Sequence, residues 1–167
     1  MHRDLENFLH MAEDQYLNRT EVIAFKQMVA KLQDCYTLYG LLRDQEAALF
    51  QDVAEQLVAT FPYESSQLLE QALKHWIAVL RYAAMAMLLN NPQYLQHHLL
   101  EWLVDIIRIH QIQEIENQTY ELLLEQLTAT LSSQQMSLIS PFLTQAQSAL
   151  LGDRPSTAKS VSALSSV

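Results

Sequence analysis

Apolar residues recur at three- and four-residue steps through almost the whole chain, and little interrupts them. An α-helix turns once in about 3.6 residues, so this spacing lines one face of a helix, whereas a strand would need strict alternation. Only 2 Gly and 4 Pro are spread over the 167 residues. Hairpins and tight turns draw on those two residue types, so their scarcity leaves helix as the conformation open to most of the chain. With 50% hydrophobic residues the chain can bury a core, and its length is that of one domain. The expected class is all-α, with about six to eight helices over residues 1–151. A flexible tail rich in Ser, Ala and Thr is expected over residues 152–167.

Local chemistry marks where the helices begin and end. Asn18 with Glu21 three residues on is a capping box, which predicts a helix start followed by an apolar side of Val22, Phe25, Met28, Val29 and Leu32. After Cys35 the pattern continues through Leu41, Leu42, Ala48, Leu49, Val53 and Leu57, with Gly40 expected to bend or break it. Phe61-Pro62 stops this segment, because proline has no N–H and restricts the residue before it. Ser65 or Ser66 caps the next helix, whose buried stripe is Leu69, Leu73, Trp76, Leu80, Ala83 and Met87. Asn90-Asn91-Pro92 ends it and opens another, with Asn91 as cap and Pro92 at the first helical position. From Leu95 the spacing of Leu99, Trp102, Leu103, Ile106 and Ile109 predicts a long amphipathic helix, with a break within residues 110–116. Tyr120, Leu123, Leu124, Leu127 and Leu131 make the next stripe. Ser132 with Gln135 forms a second capping box before Leu138, Phe142, Ala146 and Leu150, and Gly152 suits a helix end. Short connections and the lack of heptad regularity favour globin-like packing over a coiled coil.

Charge and motif content exclude several functions. The net charge of −9 comes from 19 acidic against 10 basic residues, and the basic ones are scattered. Nucleic acid and a polybasic membrane anchor both need clustered cations, so neither is expected. The longest apolar stretch, Trp76 to Leu89, is broken by Arg81 and falls short of the roughly 20 residues of a membrane span. The charged opening MHRDLENFLH predicts no signal peptide. A single cysteine, Cys35, allows no disulfide within the chain, fits a reducing compartment and reads as a small buried hydrophobe. Trp76 and Trp102, both within apolar stripes, are expected in the core. His97 and His98 lie near Glu101 on one helical face, but no second pair of ligand types accompanies them, so a solvated face is expected rather than a metal. No phosphate loop, nucleophile elbow, paired-cysteine motif or Ser-His-Asp set occurs, and no enzyme is expected.

One segment carries a family resemblance. Leu80-Arg81-Tyr82-Ala83-Ala84-Met85-Ala86-Met87-Leu88, followed by Asn90-Asn91, resembles the central helix of phycobiliproteins, with its Leu-Arg-Tyr, Ala-x-Leu and Gly-Asp elements. Ala12-Glu13-Asp14 and Tyr16-Leu17 are similar to the family's early Ala-Asp and Tyr-Leu elements, and Leu95, Leu99, Leu100 and Leu103 fall in register. The resemblance spans roughly Met11 to Ile109 and implies a globin-like domain of the phycobilisome type.

In that family a bilin is attached to a cysteine nine residues before the arginine. Counting back from Arg81 gives Ala72, followed by Leu73, Lys74 and His75. No thioether can form at an alanine, and His75 replaces the aspartate that would hold the pyrrole nitrogens. The resemblance therefore implies no covalent bilin, and leaves Lys74, with one charge for a propionate, and His75 as residues for a bilin held without a bond. The stretch between Leu57 and Ala72 is also shorter than the family's covering loop. Haem is not expected, since helical histidines ordinarily lie at the surface or are satisfied by neighbours.

Across the family's heterodimer the early aspartate of one subunit pairs with this arginine of the other. Glu13 or Asp14 and Arg81, beside Tyr82, occupy those places, while the supporting tyrosine is matched by Met85. The alternative is that Arg81 pairs within its own chain or reaches to water. The implied function is that of a non-chromophorylated relative. It would act as an interaction, assembly or regulatory factor of the cyanobacterial phycobilisome or photosystems, as a cytoplasmic protein or one peripheral to thylakoid membranes, through protein partners and as a dimer in one form. Two alternatives stand beside it: a pigment chaperone or sensor that binds bilin, and a helical interaction module unrelated to photosynthesis.

Overall fold

The computed structural model describes residues 3–110 and 112–152, except for the side chains of residues 3, 4, 14 and 110. The expected tail lies, past Gly152, outside the described residues. Among these residues the order is α1 (Arg3–Asp14), α2 (Arg19–Thr60), α3 (Ser66–Leu89), α4 (Pro92–Leu95), a π-helical turn (Gln96–Leu100), α5 (Glu101–His110), α6 (Gln113–Thr130) and α7 (Ser133–Leu151), with no strand.

The local start and stop signals act as expected. Asn18 accepts from the N–H groups of Thr20 and Glu21, at 2.9 and 3.0 Å, while the Glu21 carboxylate accepts from the Asn18 N–H at 2.7 Å. Two of the backbone donors that a helix start leaves unpaired are thereby satisfied. Ser132 and Gln135 close the same reciprocal pair ahead of α7. Ser65, rather than Ser66, caps α3. Asn90 ends α3 at φ 47°, a left-handed conformation that asparagine tolerates better than most residues, and Asn91 then caps α4 with Pro92 in its first turn.

Three expectations need correction. Gly40 neither bends nor breaks α2, which runs unbroken for 42 residues. A helical glycine costs only about 1 kcal/mol relative to alanine, and the buried Leu38 and Leu42 on either side anchor the helix through it. The apolar side of early α2 does not reach the core, for no described side chain of α2 before Cys35 is buried, and Val22 and Val29 are exposed. This part of α2 runs past the other helices, with Phe8 of α1 edge-on to Phe25 at 5.7 Å. The third correction concerns Trp102 and Ile109, which are 49% and 76% exposed where burial was expected. The π turn inserts an i to i−5 step, seen in the Glu101 N–H bonding to the Gln96 carbonyl. That step rotates the following helix, so Leu95, Leu99, Leu100, Leu103 and Ile107 face inward instead.

The core forms around α3, which packs against α2, α6 and α7. Its buried line runs Leu69, Ala72, Trp76, Val79, Leu80, Ala83 and Met87. At 24 residues α3 is long and apolar enough to cross a membrane by length and composition. Its apolar side is instead taken up by the neighbouring helices, as a core helix requires.

Candidate functional site

Two places along α3 gather polar chemistry. The first lies in its N-terminal half, where the helical turn sends neighbouring residues in different directions. Ala72 points inward and is fully buried. Lys74 points outward, its Nζ 2.6 Å from Glu70 Oε1, and both side chains are largely in solvent. An exposed i,i+4 pair of this kind contributes about 0.3–0.5 kcal/mol. His75 turns inward and its Nδ1 lies 2.6 Å from Oε1 of Glu116 on α6. Lys74 and His75, singled out together, therefore do not converge on a common space.

Glu116 is 0% exposed. Burial raises its pKa because the charged form loses water, and the His75 contact and, less, the Trp76 indole pull it back down. The indole N–H is near enough to act on the carboxyl but does not form an aligned hydrogen bond, leaving Trp76 Nε1 and Glu116 Oε2 without partners. Trp76 packs on Tyr120 at 4.9 Å between ring centroids, and burial raises the pKa of that phenol. Thr119 is also buried and satisfies its hydroxyl on the Ile115 carbonyl at 2.7 Å.

The second place is a cleft of about 420 Å³ between α2, α3 and α4, bordered by Tyr39 and Glu46 on α2, Arg81, Tyr82 and Met85 on α3, and Tyr94. Arg81 donates from Nε and Nη2 to the two Glu46 oxygens, at 2.8 and 2.5 Å. This fork holds the guanidinium further above its ordinary pKa. Of the two fates weighed for Arg81, pairing within the chain is the one seen here. Tyr82 stacks on Tyr94 at 5.8 Å, and Tyr94 meets the His98 ring at 4.6 Å. His97 binds Glu101 at 2.7 Å, and the His98 carbonyl accepts from the Trp102 indole. Among the described residues no three His, Cys, Asp or Glu side chains gather as metal ligands.

Of the early acidic residues, Glu13 pairs with His10 on the exposed face of α1, and the Asp14 side chain lies outside the described residues. Cys35 is buried on α2, where loss of solvent raises the pKa of its thiol. Sequence reasoning missed Glu46 and Glu116. Each lies dozens of residues from its partner, and no local spacing connects them.

A family model described as phycobilisome protein matches residues 11–150. The chain belongs to the phycobilisome protein family. No curated protein matches it. The matched span begins within α1, ends within α7 and contains both places on α3, and the family's fold is globin-like and all-α. Phycobilisome proteins are in general structural, light-harvesting proteins that carry bilins. The residues at the pigment position of this member do not fit that group as they stand. Ala72 brings no sulfur and is buried, Lys74 is bound to Glu70, and His75 is bound to Glu116.

Proposed function

We propose that this chain is a phycobilisome-family protein without a bound chromophore, and that it serves as an interaction, assembly or regulatory factor for the cyanobacterial phycobilisome or photosystems. It works without catalysis, in the cytoplasm or at the cytoplasmic face of thylakoid membranes. The observation that carries this reading is the unpartnered helical arm made by α1 and the start of α2. Val22, Val29 and Tyr36 stand seven residues apart and are 36%, 43% and 69% exposed. Single exposed apolar residues are ordinary, but a stripe at helical spacing marks a surface that another protein covers. Leu9 and Ile23 extend it. In the proposed contact, Glu13 and Asp14 of one chain approach Arg81 and Tyr82 of a partner, at the cleft that Glu46 borders. Such an ion pair sets orientation more than affinity.

The test is a pull-down from cyanobacterial lysate with the wild-type chain and with a Val22→Glu, Val29→Glu variant. Recovery of antenna or photosystem subunits by the first and not by the second is the expected result. Recovery of neither class by the wild-type chain overturns the reading, and equal recovery by both overturns the arm as the contact surface.

Family membership favours a second reading, in which a bilin is held without a covalent bond. Lys74 would have to leave Glu70 and His75 to leave Glu116 for that. A shifted, sharpened visible band on mixing the chain with free bilin supports it, and an unchanged bilin spectrum removes it.

A further inference from the structure

The assembly reading makes no use of the one carboxylate that is wholly inside the protein. Glu116 lies in the first turn of α6, whose N-cap position, Ile112, supplies no side-chain hydrogen bond. The turn is instead tied down by Glu116 reaching across to His75 on α3, and by burial of Ile112 and Ile115. We propose that His75 and Glu116 form a one-proton latch that clamps the uncapped start of α6 onto α3, and that loss of the proton releases this turn and uncovers Trp76.

With the proton present the pair is either imidazolium with carboxylate or imidazole with carboxylic acid. Both forms keep the 2.6 Å hydrogen bond and bury no net charge. When the proton leaves, a carboxylate stands against neutral imidazole with its other oxygen unpartnered beside an indole N–H. A buried, uncompensated charge is strongly unfavourable, and the nearest remedy is for the turn to open to water. Few other charges intervene. From α3 the only other ions nearby are the Lys74–Glu70 pair on the solvent side, and from α6 there is Tyr120, whose ring packs on Trp76. The buried residues of α2 and α7 are apolar, with Cys35 the titratable one, and that thiol responds to Lys31 and Asp34. The sign follows from burial, which raises the Glu116 pKa in the fold. A carboxyl that holds its proton more tightly when folded favours the closed form at low pH and loses that contribution as pH rises. Because Ile112 and Ile115 stay anchored, release is a local opening and not unfolding.

The test reads acrylamide quenching of Trp76 fluorescence against pH in a Trp102→Phe background, which removes the exposed indole. Quenching is expected to rise on the alkaline side while far-UV helicity holds. Glu116→Gln, which has the same shape and no charge, should lose that alkaline limb. His75→Gln should move the limb to a pH lower by about one or more, because the shared proton then has a single holder. An alkaline limb that survives in Glu116→Gln overturns the latch, as does a flat profile in the parent or an unmoved limb in His75→Gln.

Discussion

Replacing Arg81 by alanine removes both hydrogen bonds that tie α3 to α2 beside the cleft. Two unit charges about 4 Å apart attract by about 1 kcal/mol in water and about 4 kcal/mol at an effective dielectric constant of 20. The Arg81 side chain is 65% exposed and Glu46 is 22% exposed, which places the pair nearer the water limit. Holding the arginine in one rotamer offsets part of the gain, and its planar fork recovers some of that loss. The expected coupling is about 1 kcal/mol, at the upper end for solvent-exposed pairs. A double-mutant cycle of Arg81→Ala, Glu46→Ala and the double variant, followed by urea denaturation, measures it directly. Arg81→Ala alone should lower Tm by about 2–4 °C, and added salt should reduce the coupling. A coupling indistinguishable from zero refutes the reasoning and frees Arg81 for a partner chain. A value above about 3 kcal/mol refutes it in the other direction, since only a desolvated pair behaves so.

Gly40→Ala should stabilise the chain by about 0.5–1 kcal/mol, read as a higher urea midpoint, because an added Cβ meets nothing within 4 Å and the helix gains intrinsic propensity. Leu103→Ala should cost about 2–5 kcal/mol, whereas Trp102→Ala should cost about 1 kcal/mol or less, since Leu103 is fully buried and Trp102 is 49% exposed. Comparable losses for the two variants would show that the π turn does not set the register. The Cys35 thiol should react slowly with a thiol reagent in the native protein and rapidly in urea. Burial raises its pKa and so disfavours the thiolate that reacts, and fast native labelling would contradict this.

Much of this protein follows from local chemistry and was legible in residue order alone. The capping boxes at Asn18 and Ser132, the stop at Phe61-Pro62 and the turn at Asn90-Asn91-Pro92 depend on side chains bonding to backbone a few residues away. For that reason they survive any tertiary arrangement. The Leu-Arg-Tyr run and its flanking turn likewise carried the family, and the absence of cysteine at Ala72 could be counted along the chain.

What depends on distance in space was decided only by the tertiary structure. Val22 and Val29 have the same helical spacing as the core residues Val53 and Leu57, yet they stay exposed because no other helix reaches that end of α2. Trp102 and Leu103 exchange their expected environments because one extra residue in a helical turn rotates everything after it. Most consequential are the partners of Arg81 and His75. Sequence fixes the chemistry each side chain can offer, but a charge pairs with whatever the fold brings within about 3 Å. Packing brought Glu46 to the arginine and Glu116 to the histidine, so the place where the family holds a pigment is crossed here by a buried ion pair.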